Sequence, residues 1–258
     1  MRAMVAGTLV VLFIQVAPAD EELDGLIGEY NKAQEAWFQN LEKFRKEDGS
    51  SEFKEGAMPP RPGPSFLPRF RAYAEQHAGK PEAIEALVWI MQLTPRPDKP
   101  GEKSADGLWA VEQLTRNHAA DSQLGAHLAN LRYSFYDVGK KPLIRFYKRV
   151  IEVNKDKETV ATAMFNLALT LRSHGLPWDD AGADTFDRDR AATLFRRIVK
   201  EYPETPAGKQ AKGYVFEIEH LQIGMQAPDF SGEDVDGNTI RLSQFRGQVV
   251  VLDFWGFW

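Results

Sequence analysis

From residue 21 onward, apolar side chains recur at three- and four-residue intervals. Leu23, Leu26, Ile27 and Tyr30, followed by Trp37, Leu41 and Phe44, predict an amphipathic helix over 21–47. Two proline-rich breaks interrupt the pattern. Met58-Pro59-Pro60-Arg61-Pro62-Gly63-Pro64 is one, and Thr94 to Gly101, with Pro95, Pro97 and Pro100, is the other. Proline removes a backbone donor and restricts the residue before it, so both breaks read as linkers or surface loops. Between and beyond them a helix–turn–helix pattern repeats. Phe70-Arg71 begins a helix running to His77, and Pro81 opens a second carrying Ala86, Trp89 and Ile90. The same order returns in Phe195 to Val199, Tyr202-Pro203, then Pro206 with Ala211, Tyr214 and Val215. Tyr147 to Ile151, followed by Ala161, Phe165 and Leu169, is a third copy, and Ala110 to Leu131 a poorer fourth. Helical pairs recurring at about 40 residues predict an α-solenoid or tetratricopeptide-like array, in which stacked neighbours bury faces that no pair buries alone. An irregular helical bundle is the alternative.

The pattern changes after His220. Gly224, Gly232, Gly237, Gly247 and Gly256 punctuate short segments rich in β-branched and aromatic residues, which places a domain boundary near Ile223. Asp234-Val235-Asp236-Gly237-Asn238 predicts a hairpin turn, since glycine and asparagine tolerate positive φ. Thr239 to Leu242 leaves that turn as a strand, and Ser243 is placed to cap a short helical turn ending at Gly247. Val249 to Trp255 is nearly continuous in apolar residues, the pattern of a strand buried on both faces of an α/β sheet.

The first residues form a targeting segment. Arg2 supplies a positive charge, Ala3 to Val16 an apolar stretch short for a membrane span, and Ala17-Pro18-Ala19 a small-x-small cleavage pattern. Cleavage after Ala19 is expected, with an uncleaved membrane anchor or a buried strand as the alternatives. The protein is therefore expected to be exported, periplasmic or extracellular, in an oxidising compartment. The division that follows is 1–19 signal peptide, 20–222 helical repeat-like domain and 223–258 second domain.

The chain has 258 residues, a net charge of −5 and no cysteine. The acidic balance gives no support for nucleic-acid binding. Without cysteine there is no disulfide, thiolate metal site or thiol nucleophile in the chain as given. The five histidines, His77, His118, His127, His174 and His220, lack ligand spacing and read as helix-end or surface residues. Asp179, Asp180, Asp184, Asp187 and Asp189 lack the order of a calcium loop, and read as a solvated loop with Asp187 or Asp189 at a helix start. No metal site and no cofactor is expected.

Gly224-x-x-Ala227-Pro228-Asp229-Phe230, then Asp236-Gly237, then Leu242-Ser243-x-Phe245-x-Gly247, then Val249 to Trp258, resembles the opening of the redoxin group of the thioredoxin superfamily. That group includes the alkyl-hydroperoxide-reductase/thiol-specific-antioxidant (AhpC/TSA) family and the exported TlpA- and ResA-type thiol–disulfide oxidoreductases. The resemblance covers the last 36 residues only, 223–258. It implies a truncated α/β thioredoxin-like fragment, so that with the helical-hairpin region read from the periodicity before it the chain is expected to be mainly α. It also implies a Cys-x-x-Cys directly after the tryptophan that matches Trp258, where the next helix dipole lowers the thiol pKa. The chain as given stops before those cysteines and should be inactive. Asp253 matches a buried aspartate beneath the cysteine pair and is the candidate catalytic proton relay, its pKa expected to be raised by burial. Trp255 and Trp258 match the aromatics flanking the cysteines and are the candidate substrate-binding residues. Core packing is the plainer role for all three. The implied partners are thiol and disulfide proteins, with a further protein partner on the helical repeats. A peroxiredoxin-type thiol peroxidase and a helical interaction scaffold are the alternative functions. Val249 to Trp258 is also expected to be poorly stabilised, because a mid-sheet strand needs neighbours and covering helices.

Overall fold

The structure, a computed structural model, describes residues 21–41, 59–95, 104–132, 134–173 and 187–253. The targeting segment, Phe44, His174 and Asp179 to Asp184 lie outside these residues. The chain is mainly helical. Helix α1 (Glu21–Leu41) leads into the hairpin of α2 (Gly63–Gln76) and α3 (Ala83–Leu93). Helix α4 (Ala105–Gln113) continues as a π-helical turn (Leu114–His118), then come α5 (Leu124–Leu128), a 3-10 turn (Ala129–Leu131) and α6 (Phe135–Val138). Two regular hairpins follow: α7 (Lys140–Val153) with α8 (Lys157–Arg172), and α9 (Arg188–Glu201) with α10 (Pro206–His220). The polypeptide then forms β1 (Ser231–Glu233), β2 (Thr239–Arg241) and a 3-10 turn (Leu242–Phe245).

The hairpins stack. Each packs its two helices together, and α3, α5, α8 and α10 touch in chain order as a continuous row. Helix α4 also packs on α7, and α8 on α9. One core runs through the stack, from Phe70, Ile84 and Ile90 through Leu114, Leu124 and Phe146 to Phe165, Phe195 and Ile198. Aromatic contacts mark both ends. Tyr30 meets Phe66 and Trp89 edge-on at 5.5 and 5.4 Å. Phe195 stacks on Tyr214 at 4.6 Å, with Phe165 against both.

Local sequence explains the hairpin ends. Asp156 accepts from the Thr159 amide at 2.8 Å and caps α8. Asp187 accepts from the Arg190 amide at 2.8 Å and caps α9, the role expected of it. Thr205 caps α10, whose first residue is Pro206. Gly208 sits where α10 crosses the end of α9, and a Cβ there would clash with the Tyr202 carbonyl.

Three expectations change. Helix α2 starts at Gly63, inside the predicted break and before Phe70, because a proline in the first turn needs no backbone donor. The fourth copy is broken into short π, α and 3-10 pieces across 114–131. His118, expected at a helix end or the surface, does end the π turn but is buried at 1% exposure, because α3 and α7 pack on that turn.

Candidate functional site

After α10 the backbone turns through Gly224, whose φ of 89° is a left-handed conformation that glycine adopts without strain. The hairpin pairs Ser231 with Arg241, Gly232 with Ile240 and Glu233 with Thr239, antiparallel. Its turn is the predicted one. The Asp234 carboxylate accepts from the Asp236 amide at 3.0 Å and the Asn238 amide at 2.7 Å, and Gly237 takes φ 83°. These bonds hold the Asp234 carboxyl below the usual carboxylate range.

The turn over Leu242–Phe245 is also where it was expected, but its cap is different. Ser243 does not supply the capping side chain. The Asp229 carboxylate accepts from the Ser243 amide at 2.8 Å, and Gln244 Oε1 accepts from the Arg241 amide at 3.0 Å. The Ser243 hydroxyl and amide hold the Asp229 carboxyl below its ordinary value. The Leu242 amide bonds the Phe230 carbonyl at 3.1 Å, so Asp229-Phe230 and Leu242-Ser243 are one joined unit. The sequence reading missed this pairing, since no local spacing rule links residues 14 apart. The Asp234 anchor did carry a signal, aspartate opening a turn that contains glycine and asparagine. Beside this unit is a cavity of about 280 Å3 lined in part by Ala227, Leu242, Phe245 and Val250.

The expected buried strand over 249–255 is not formed in its described part. Residues 249–253 carry no strand, and Val249 is 96% and Val251 87% exposed. A mid-sheet strand needs ladder partners on both edges and cover on both faces. Among the described residues the only sheet is the β1–β2 pair, which does not include this segment. Asp253 is likewise exposed, not enclosed as expected, with Leu252 beside it half open. Trp255 and Trp258 lie outside the described residues. Among the described residues no group of three or more His, Cys, Asp or Glu is arranged to hold a metal ion. No helix among them is long and apolar enough to cross a membrane.

Residues 223–258 match the AhpC/TSA family. The chain is 43% identical over 47 residues to the thiol-disulfide oxidoreductase ResA of Bacillus thuringiensis subsp. konkukian, covering 18% of this chain and 27% of that protein. It is 47% identical over 38 residues to ResA of Geobacillus kaustophilus, covering 15% and 22% respectively. The chain thus spans about a quarter of the length of the curated relatives it matches. No solved structure matches significantly. The C-terminal segment is related to the thioredoxin-like redoxins.

Proposed function

We propose that this chain is part of an exported thiol–disulfide oxidoreductase, with a tetratricopeptide-like domain over 20–222 preceding a redox domain that opens at 223. The observation that carries the reading is the joined unit of Asp229-Phe230 and Leu242-Ser243 within 223–258, the stretch that matches the AhpC/TSA family, beside the partial similarity of the chain to ResA. In this reading the Cys-x-x-Cys stands directly after Trp258, Trp255 and Trp258 flank it, and Asp253 becomes enclosed once the sheet around 249–253 is complete. Asp253 then relays protons to the cysteine pair, and thiol or disulfide proteins are the substrates. The leader over 1–19 delivers the protein to an oxidising compartment.

The 258-residue chain holds no cysteine, so it should not reduce insulin disulfides above background with dithiothreitol. The gene read past the codon for Trp258 should supply Cys-x-x-Cys, and that longer product should reduce them. Consumption of a hydroperoxide in place of disulfide reduction would assign a thiol peroxidase instead. A longer product without cysteine would overturn both redox readings.

The continuous core of the helical stack favours a second reading for 20–222. Stacked hairpins present an extended surface, and this region would then be an interaction scaffold for a protein partner.

A further inference from the structure

Helix α10 ends beside a cavity of about 470 Å3. Ala192 and Phe195 on α9 and Ile218 on α10 give it an apolar floor, and Leu221 and Ile223 continue that surface along the exit of the chain. Leu221 is 51% exposed and Ile223 fully so, although both are apolar. The charged side chains of the wall do not call for an ionic ligand. Arg172 holds Glu217 through two bonds, Nη2 to Oε1 at 2.7 Å and Nη1 to Oε2 at 3.2 Å, and lies over the Tyr214 ring. Arg188 is partnered too, and Asp189 stands in the first turn of α9, where the helix dipole favours a carboxylate. What stays open is apolar surface, the kind that marks a contact with another folded surface.

The chain leaves α10 without a free linker. The Leu221 amide and the Gln222 side chain both donate to the Glu217 carbonyl, at 3.0 and 2.8 Å. The Met225 amide then closes on the Gln222 carbonyl at 3.0 Å, and Gly224, at φ 89°, takes the third position of that turn without strain. The match to the AhpC/TSA family begins at 223. Ile223 is therefore at once a wall of the cavity and the first residue of the second domain. Domains that move freely are joined by exposed, flexible linkers. Here residues 221–225 are taken up by a helix end and a closed turn.

We propose that this cavity is the seat of the redox domain itself: the completed domain docks on the end of the α9–α10 hairpin and does not move as a tethered module. The inference rests on the reading that a redox domain opens at 223. Among the described residues from 223 on, only Ile223 lines the cavity, so the covering face belongs to the part of the domain that completes the sheet. Docked in this way, the domain presents its cysteines in one direction relative to the stack.

The test compares the 258-residue chain with the longer gene product, both labelled at leucine and isoleucine methyls. It reads the relaxation that a soluble gadolinium chelate causes at each methyl. In the 258-residue chain the Leu221 methyls should relax as exposed groups. In the longer product relaxation at Leu221 and Ile218 should fall at least about threefold, as for side chains moved into the core of an interface. Leu221→Asp in the longer product should restore the Ile218 value of the 258-residue chain. The same substitution in the 258-residue chain is the folding control, because a half-exposed residue can change without loss of the thermal midpoint. A longer product that reduces insulin disulfides but leaves Leu221 open overturns the docking and leaves the redox reading standing. A longer product without cysteine overturns that reading, and the docking with it. Leu221 protection that grows with the concentration of the 258-residue chain would give the seat to a second copy and overturn the proposal, as would Ile218 protection unchanged by Leu221→Asp.

Discussion

Asp229 and Tyr147 show how single polar groups fix backbone far from themselves in sequence. Asp229 accepts from the Ser243 amide at 2.8 Å and so closes the 3-10 turn onto the segment before β1. The same bonds depress its pKa, so its stabilising contribution is present above the ordinary carboxylate value of ~3.9 and is lost as pH falls through its folded value. The protection of the Ser243 amide, relative to its intrinsic exchange rate, should therefore fall below about pH 4. Asp229→Asn should make that protection pH-independent over the same range, and an unchanged protection profile in the variant would remove Asp229 as the cause. Tyr147 acts in the core. Its hydroxyl donates to the Leu131 carbonyl at 2.9 Å with the residue 0% exposed, and burial pushes its pKa far above the ordinary phenol value. Tyr147→Phe keeps the ring but leaves that carbonyl with only the Ser134 amide, at 3.2 Å. The expected loss is about 0.5–1.5 kcal/mol in urea unfolding, one hydrogen bond's net contribution; no measurable loss would mean that the Ser134 amide alone satisfies the carbonyl.

Between elements, the recurring device is a polar side chain on a later helix or turn that satisfies carbonyls at the end of an earlier one. Tyr147 on α7 takes Leu131 O, and Asn166 on α8 takes Leu128 O at 2.7 Å, closing the end of α5 and its 3-10 turn. Asn154 takes Ala119 O and Asp121 O at 3.0 and 2.9 Å, just past the π turn. The reverse order also occurs: Lys140 on α7 donates through Nζ to Ser173 O at 2.6 Å, placing a cation at the negative end of the later α8. Helices as short as α5 have little intrinsic stability, so these cross-element bonds hold them in place. Asn154→Ala frees two carbonyls at once and should cost about 1–3 kcal/mol or more, read by thermal unfolding. Gly208→Ala tests the tightest crossing, where the added methyl meets the Tyr202 carbonyl; about 1–3 kcal/mol of destabilisation is expected. The regular hairpins were legible because their information is local: apolar periodicity, Pro81 and Pro206 near helix starts, and the cap Asp187. The 114–131 stretch was not, because its short pieces depend on side chains from α7 and α8 that periodicity within the stretch does not register. His118 was misplaced for the same reason, since burial by neighbouring hairpins leaves no mark on its own segment.

At the scale of the molecule, the two regions differ in what holds them. The helical stack closes over a single apolar core, whereas the segment from 223 to 253 has no residue in that core. Its large apolar side chains are open, among them Met225 at 47%, Phe230 at 50% and Val250 at 41%. The turn motifs of this segment were readable because they close on themselves. The strand pattern of 249–253 was readable too, but apolar pattern specifies only that a residue suits a core, and the sheet that would bury it needs long-range partners. The physical consequence is that removing this segment should cost the stack little. A variant ending at Gln222 should keep its thermal midpoint within about 4 °C of the parent, a change of about 1 kcal/mol for a unit of this size. It should also remain soluble at concentrations where the parent associates, because the uncharged run Val249 to Leu252 is then gone. Within the parent, amides of 249–253 should exchange orders of magnitude faster than those of α8, whose residues from Thr159 to Leu171 are almost all buried. Slow exchange at Val250 and Val251 together with a large drop in midpoint on truncation would show instead that the segment is packed as part of one cooperative unit, and the boundary at 223 would then have no thermodynamic meaning.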